Sequence, residues 1–503
     1  MTTLTTISNA NVKIPSRELQ RLLPYYTLID DCLDGEFAIK ARDMDSRVKN
    51  KTYLPIPNPD DDIDGSRYAD YIKRALYYNV AYKTLAGITG HVYLKDVNYK
   101  LPKLLDILKK DCTGEGVSLP QLSKRAMQQA MAKGMVGIFV DFPYTENEIT
   151  ADDITSGKMQ PIFRLYAAQE ILDIRVRSEN GRVFMSLVRL KESYRDDDDD
   201  YLDILKYRYR ILRLQKNEVT GNNEFTVEII EDYDLESDGV ITPLKSDGTP
   251  FDFIPFFPIG SENNDSHRDH PPMYDLCAVN VAHYRNSADY EESVFINGQP
   301  MLVYSGITEQ WNTDVLGGKI KFGSRGGLPL PEGGSAQILQ AQPNTIAYEA
   351  MCHKEDQMLA LGAKLVQQSV SNRKTATEAG NEAASEISIL INVAKNTSDG
   401  FTSGLQCACL YVGADESEVK FELQADSTLV KLDPQKLLAL VKSWQDGAIS
   451  RTELRYNLRN EGIAHGDEDA AIAEIEKEQT EKQDLQDKQM MVKQKQTTGA
   501  TNA

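Results

Sequence analysis

The sequence predicts an α+β protein organised around a pair of long helices. Two helical stretches of similar length, 271–297 and 344–370, flank a segment too rich in glycine to be helical. Upstream, residues 161–235 alternate apolar and polar side chains, as the strands of an antiparallel sheet do. Together these two patterns define the fold class.

The first long helix has a clear beginning and end. It opens with Pro271-Pro272 and stops at Asn297-Gly298. Proline is tolerated in the first helical turn and glycine is preferred just past the last turn, so both ends carry the expected residues. A helix of about 26 residues would be about 39 Å long.

The second long helix begins after Pro343-Asn344-Thr345 and runs for about 25 residues, so the matched lengths predict an antiparallel pair. Polar side chains interrupt both helices. Long helices with a modest apolar stripe need neighbouring copies for stability, and we therefore expect a ring of subunits. The interrupting residues are Asp275, Asn280, His283, Arg285, Asn286, Asp289, Glu291 and Glu292 in the first helix, and Glu349, His353, Lys354, Glu355, Asp356 and Lys364 in the second.

The segment between the helices, 298–343, holds nine glycines and four prolines. Two strand-like runs, 300–304 and 319–322, predict short strands joined by tight turns. So small a module has little private core. We expect strands or contacts from a neighbouring subunit to complete it.

The N-terminal part combines helices with a sheet. Amphipathic helices are predicted at 15–40 and 66–89, another helix at 119–133, and a buried strand at 135–140. A Pro-rich stretch at 253–258 leads to the first long helix. The predicted sheet strands are 161–167, 170–177, 181–194, 205–215 and 225–235.

The C-terminal part is mostly helical. A long helix is predicted over 377–411, with Gly400 and Gly404 as bend points. A strand at 418–423 follows, and Asp433 and Ser450 cap two short helices. From Asp467 onward the chain is densely charged, so we expect a helix that ends in a disordered tail. The two short helices are predicted at 434–444 and 452–460.

The charge and cysteine content exclude several classes of protein. A net charge of −20 disfavours tight binding of nucleic acid, because affinity for phosphates comes mostly from Lys and Arg. It is compatible with a conduit through which DNA slides, and equally with an ordinary solvated acidic surface. The six scattered cysteines predict reduced thiols in a reducing compartment. The sequence has no secretory signal and no run of apolar residues long enough for a membrane span, so we expect a soluble protein made in the cytosol.

No catalytic or cofactor motif is present, and we expect a protein that is not an enzyme and needs no cofactor or metal. Gly157-Lys158 and Gly318-Lys319 lack the rest of a phosphate-binding loop. His267 and His270 could ligate a metal, but a polar loop explains them. The aspartates 196–200 lack the spacing of a calcium loop and indicate a charged hairpin loop.

Basic and aromatic residues in 66–89 could form a nucleic-acid surface, although an amphipathic helix with a solvated face accounts for them.

The order of these elements resembles the portal proteins of tailed bacteriophages. Helix, Gly-rich β module, helix, polar loop and long helix match the stem, clip, stem, tunnel loop and spine of that family. Residues 281–290 (VAHYRNSADY), followed by Gly298-Gln299-Pro300, resemble the entry to the clip in a podophage-type portal family. Leu361-Gly362-Ala363, followed by 374–378 (KTATE), resembles that family's passage from second stem helix to spine. The resemblance covers about 270–410 and elsewhere rests on element order.

The resemblance implies a portal fold in eight parts. The N-terminal part is a wing of helices and antiparallel sheet, and the C-terminal part is a helical crown with a tail. The implied boundaries are the wing at 1–270, stem helix 1 at 271–297, the clip at 298–343, stem helix 2 at 344–367, the tunnel loop at 368–377, the spine helix and wing return strand at 378–425, the crown at 426–475 and a charged, partly disordered tail at 476–503.

The function implied is a ring-shaped homo-oligomer, twelve-fold by resemblance, at one vertex of the capsid. Double-stranded DNA would pass through it without sequence specificity during packaging and ejection. The implied partners are the terminase large subunit, a head-completion or tail adaptor, and the major capsid and scaffolding proteins, with no membrane. The protein would be located in the virion after assembly in the bacterial cytoplasm. A non-viral coiled-coil scaffold is the alternative, and a metal-dependent nuclease is a third candidate without a visible carboxylate cluster.

Two groups of site residues follow from the resemblance. In the tunnel loop, Arg373 and Lys374 are an adjacent cationic pair that would contact DNA phosphates, with Asn372 and Ser371 beside them. Their alternative role is pairing with Glu378 or Glu382 in the following helix. In the clip, the residues expected to dock the adaptor and terminase are Trp311, Lys319, Lys321 and Arg325.

Overall fold

A computed structural model shows an α+β fold of helices and antiparallel sheets. The chain divides into two compact units, Met1–Ala425 and Asp426–Ala503, and every described residue belongs to the first. The predicted crown and the tail therefore lie outside the described residues. So do two predicted features of the first unit, the aspartate run 196–200 and the strand at 319–322. The structure describes residues 9–44, 53–56, 66–143, 153–154, 156–195, 204–217, 221–233, 237–298, 301–315, 329–339, 345–365 and 389–424.

The N-terminal helices are shorter than the sequence predicts. Helices α1 (Arg17–Asp34) and α2 (Glu36–Met44) replace the single helix predicted at 15–40, because Gly35 adopts a φ of 91° between them. The single helix predicted at 66–89 is also wrong. Helices α3 (Ser66–Arg74) and α4 (Val80–Val92) are separated by residues 75–79, which are not helical.

A three-stranded sheet forms the centre of the fold. Strand β1 (Asn98–Lys100) and a 3-10 helix (Lys103–Lys109) precede α5 (Leu119–Lys133), which ends at Gly134 and leads into β2 (Met135–Asp141). Both the helix and the buried strand predicted here are confirmed. Strand β2 pairs antiparallel with β3 (Ile162–Ala167) on one side and β9 (Phe256–Gly260) on the other.

A second, five-stranded antiparallel sheet follows β3. The single sheet predicted over 161–235 is wrong in this respect, because β3 pairs with β2 instead of with the next strand. A turn redirects the chain at this point, where the Glu170 side chain accepts the Ala167 N–H at 2.7 Å. The strands, in chain order and in sheet order, are β4 (Ile171–Glu179), β5 (Arg182–Arg195), β6 (Leu205–Lys216), β7 (Asn223–Glu231) and β8 (Ser237–Ile241).

A buried ion pair joins the two sheets. Arg210 on β6 lies 2.6 Å from Glu192 on β5 and 3.4 Å from Asp141 on β2. Burial by itself would raise the pKa of Glu192, but the Arg210 charge and hydrogen bonds outweigh it and hold that pKa at about 2. Glu192 therefore stays ionised, and the five-stranded sheet is fixed to the central one.

The chain then forms the predicted long helices. Helix α6 (Tyr274–Asn297) is followed by β10 (Met301–Ser305), a short helix α7 (Glu309–Asp314), β11 (Ser335–Leu339) and helix α8 (Thr345–Lys364). Strand β11 was not predicted. The helix predicted over 377–411 is described from residue 389 onward, as α9 (Ile389–Val412).

Helix α9 is the most buried long helix of the described chain and packs on α5, β2 and β9. It runs unbroken through Gly400 and Gly404, which were predicted as bend points. These glycines instead permit close packing: a Cβ on Gly400 would lie 2.5 Å from the Ile259 side chain. The strand predicted at 418–423 is confirmed as β12 (Lys420–Glu422), which pairs with β1 after a 3-10 helix (Glu416–Glu418).

All six cysteines are free, as predicted, and five of them are buried. Within the described ranges, no group of three or more His, Cys, Asp or Glu residues is placed to hold a metal ion. No helix in the same ranges has both the length and the apolar character needed to cross a membrane.

Candidate functional site

The predicted antiparallel pairing of the two long helices is confirmed. His283 of α6 lies opposite Glu355 of α8, and further along Tyr290 faces Tyr348, with ring centroids 6.0 Å apart. At the other end, Gly362 of α8 lies near Leu276 of α6. The helix pair is therefore in contact along most of its length.

Helix α6 has a second packed side, formed by α1, α3 and α4. Asn280 is fully buried there and binds the backbone at the start of α4 and in the segment that precedes it. Its side chain accepts the N–H groups of Val80 and Ala81 at 3.2 and 3.1 Å and donates to the Tyr78 carbonyl at 2.8 Å. These bonds satisfy backbone groups that a continuous helix over 66–89 would otherwise pair internally.

Ser287 repeats this arrangement two turns along α6. Its hydroxyl accepts the Leu76 N–H and donates to the Leu76 carbonyl, both at 2.8 Å. Asn280 and Ser287 are seven residues apart and so lie on one face of the helix. Side chains about 200 residues away in sequence thus explain why 75–79 is not helical.

The charged residues of α6 also have partners within the chain. Arg285 donates to the Tyr53 carbonyl at 2.7 Å, and the Tyr71 hydroxyl donates to Asp289 at 2.6 Å. Arg74 pairs with Glu292 and also lies over the Phe295 ring, 4.2 Å from its centroid. The chain itself therefore provides partners for these charged side chains of α6, and the need for neighbouring copies stays a prediction.

His283 is buried between the two helices. Its Nε2 lies 3.4 Å from Glu355 Oε1, without hydrogen-bond geometry, and the Tyr78 ring is 6.0 Å away. Burial lowers the pKa of His283, and Glu355 only partly opposes this effect. The neutral imidazole is favoured, so the helix pair here contains a buried base that is not ion-paired at neutral pH.

Helix α8 differs from its partner. It packs mainly against α6 and approaches α4 only near Gly362. Three large apolar side chains of α8 are exposed: Ile346 is 76% exposed, Tyr348 55% and Leu359 68%. Such a side chain buried in an interface is worth about 1.5 to 3 kcal/mol, so the exposed apolar surface of α8 is suited to a protein contact.

A groove opens where α6 ends and α8 begins. Its volume is about 450 Å³, and most of its lining is apolar. Val294 and Ile296 are about half exposed beside it, which extends the apolar surface of α8 around the end of α6. The lining residues are Tyr290, Ser293, Val294, Asn297, Gly298, Thr345 and Tyr348.

The module beyond the groove is a two-stranded antiparallel ribbon. Strand β10 pairs with β11 from Met301↔Leu339 to Ser305↔Ser335. Val303 and Ile338 are exposed on it, so the ribbon covers little apolar surface of its own. This agrees with the expected lack of a private core, although what completes the module stays a prediction.

Of the residues expected to dock partners, the structure describes Trp311 alone. Its indole N–H points to the Pro329 carbonyl at 3.5 Å, within the same module. Lys319, Lys321 and Arg325 lie outside the described residues, as do Arg373, Lys374, Asn372 and Ser371. The roles of the two predicted groups therefore stay predictions. The exposed apolar side chains of α8 were not predicted, because exposure cannot be read from a short apolar pattern.

Comparisons with known proteins give three similarities. A family model described only as a domain of unknown function, DUF4055, matches residues 272–412. That stretch starts just before α6 and stops at the last residue of α9, so it spans the helix pair, the ribbon module and the buried helix. No curated protein matches the chain.

Two solved structures match the chain at low identity and low TM-score. One is a chain from the neck of an empty gene transfer agent particle, with 11% identity, a TM-score of 0.37, and coverage of 80% of this chain and 94% of that chain. The other is from the virion of a native gene transfer agent particle, with 12% identity, a TM-score of 0.38, and coverage of 85% and 99%. The function of this chain has to be argued from its own residues and contacts.

Proposed function

We propose that the chain is the subunit of a phage portal, a ring of identical copies at the junction of head and tail. Helices α6 and α8 would be its stem, the β10–β11 module its clip and α9 its spine. The five-stranded sheet and the N-terminal helices would form the wing. The sequence resemblance over about 270–410 gives this assignment its basis.

The observation that carries the proposal is the unequal packing of the two long helices. Helix α6 is enclosed by its own chain except at its end, where Val294 and Ile296 are about half exposed. Helix α8 instead exposes large apolar side chains near both of its ends, namely Ile346, Tyr348 and Leu359. In a closed ring each α8 would pack against the next subunit, and these side chains would be buried. The apolar groove at the end of the pair would join the same interface.

The acidic composition fits a conduit for DNA. With a net charge of −20, a ring of copies would repel phosphates over most of its surface and leave few places where DNA could stick. The duplex would pass without being read, because phosphate contacts carry no direct sequence information. A separate ATP-driven terminase would move it, and the clip would dock first the terminase and then an adaptor.

Packaging in the phage that encodes the chain tests this function. A null allele should yield shells that contain no DNA, and the wild-type gene supplied in trans should restore full particles. The matched control is a null allele of the tail adaptor, which should still permit packaging. Particles that fill with DNA without this chain would contradict the proposal.

The predicted tunnel loop gives a finer test. Changing Arg373 and Lys374 together to Ala should leave ring assembly intact and shorten the packaged genome, if these cations contact the DNA backbone. Glu378→Ala and Glu382→Ala form the matched control, since they remove only the intrahelical partners. Full-length genomes in the double Ala variant would assign Arg373 and Lys374 to helix pairing.

A further inference from the structure

The five-stranded sheet is divided in charge between its two ends. Strands β4, β5 and β6 carry eleven Lys and Arg residues against three Asp and Glu, whereas β7 and β8 carry no cation and four acidic residues. In a chain of net charge −20 this basic region is exceptional. The two ends are the two edges of one sheet, β4 and β8.

The basic edge ends in a projecting arm, residues 176–185. Pairing of β5 with β6 begins only at Leu187↔Arg213, so the arm is a ribbon of β4 and β5 alone. Asn180 and Gly181, with φ of 51° and 75°, close its turn. Val183 is 67% exposed and Val176 44%, and a two-stranded ribbon of this kind is marginally stable by itself.

The acidic edge offers a complementary surface. Val240 is 60% exposed and Ile241 42%, and in the described chain no strand pairs with the outer side of β8. Glu228 of β7 lies directly opposite Val240. The arm carries two arginines, Arg177 and Arg182. Arg177 lies near Glu179, whereas Arg182 and Glu228 form no ion pair with a described residue.

We propose that the arm of one copy docks on the β8 edge of the next copy. The proposal rests on the portal function, which requires a ring, and assigns the wing contact that would close it. Exposed valines on the arm and on the β8 edge fit a protein contact. Because the arm is basic and the β8 edge is acidic, their charges favour the pairing of an arm with an edge. A two-fold contact of arm with arm, or of edge with edge, would instead place like charges together.

The separation of the two edges requires the contact to form between copies. They are separated by four strand spacings, about 19 Å, so one subunit cannot join its own arm to its own edge. A contact between different surfaces is repeated from copy to copy, and it gives a ring when the rotation closes.

Disulfide trapping in the full-length chain tests the contact. In the V183C/V240C variant, mild copper-phenanthroline oxidation should produce a ladder of dimers, trimers and larger species on a non-reducing gel. Cysteines on opposite edges are too far apart to bond within a subunit, so each rung reports a neighbour. The controls are V183C alone, V240C alone, and V183C with F37C, which adds a cysteine at an exposed site on α2.

Charge reversal provides the second readout. R182E should lower the yield of the V183C/V240C ladder about fivefold, as loss of a surface ion pair would, and E228R added to it should restore the yield. A ring without the V183C/V240C ladder would overturn the arm contact and leave the portal proposal standing. Dimers from V183C alone would overturn it in favour of a two-fold contact, and a chain that never assembles would contradict both proposals.

Discussion

Helices α6 and α8 are similar in length and in polar content, yet their surroundings differ. Helix α6 lies between α8 and the N-terminal helices, and Asn280, Ser287 and Arg285 bind backbone groups of its own chain. Helix α8 has one main packing partner and exposes large apolar side chains. The proposal of a neighbouring subunit therefore rests on unburied apolar surface and not on the number of polar residues in a helix.

The largest expected effect on assembly comes from a substitution at Leu359, an exposed apolar residue of α8. Leu359→Glu should abolish assembly, because it would place a charge in the proposed apolar interface, while the thermal stability of the isolated subunit changes by less than about 0.5 kcal/mol. Mass photometry would report the assembled fraction. The matched control is Leu94→Glu, an equally exposed leucine away from both helices. Normal ring assembly by Leu359→Glu would contradict the proposal that α8, unlike α6, contacts the next subunit.

A substitution on α6, the enclosed helix, should instead lower the stability of the subunit itself. Asn280→Ala removes three hydrogen bonds to backbone groups of 78–81 and should destabilise the subunit by about 2 to 4 kcal/mol. Denaturant unfolding of the Leu359→Glu background would measure this in the monomer. Asn286→Ala on the same helix is the control, with an expected loss below about 0.5 kcal/mol. Equal losses in the two variants would contradict the assigned role of Asn280.

The buried imidazole between the helices should make stability depend on pH. The folded state lowers the pKa of His283, so as pH falls below about 6.5 the unfolded state takes up the proton first and stability declines. Glu355 and Lys354 of α8 are the charged groups that act on this imidazole. His283→Gln should flatten the decline between pH 7.5 and 5.5, whereas His353→Gln, at an exposed site, should not. An unchanged pH profile in His283→Gln would rule out this contribution.

The smallest expected effect concerns the end of α6. Arg74→Ala removes a half-buried ion pair with Glu292 and a contact with the Phe295 ring, which together should cost about 1 kcal/mol. Thermal unfolding would measure the loss. Lys73→Ala is the control, because its pairing with Asp70 is exposed and should contribute less. A larger loss of stability in Lys73→Ala than in Arg74→Ala would contradict the stabilising role of the Arg74 contacts with the end of α6.

Local sequence signals were sufficient where the physical cause is local. Prolines and glycines at the ends of α6 and the alternation along β5 and β6 predicted elements that are observed. Matched helix lengths also predicted the antiparallel pair. Each of these features depends on residues within a few positions of the element itself.

Other features depend on distant residues, and the sequence alone did not predict them. The break at 75–79 is stabilised by Asn280 and Ser287 of α6. Strand β3 pairs with β2 because a turn at Glu170 separates it from β4. Strand β11 is a short run that is exposed as well as paired, and so lacks the apolar alternation of the buried strands. The exposed apolar side chains of α8 are of the same types as buried ones, and only the packing of the helix distinguishes them.

Electron microscopy of the purified full-length chain, with its mass measured in parallel, tests the central claim most directly. We predict closed rings with a central hole, in which α8 of each copy lies against the next copy and Leu359 is buried. Mass and images that show a monomer or a two-fold dimer at every concentration would contradict the account.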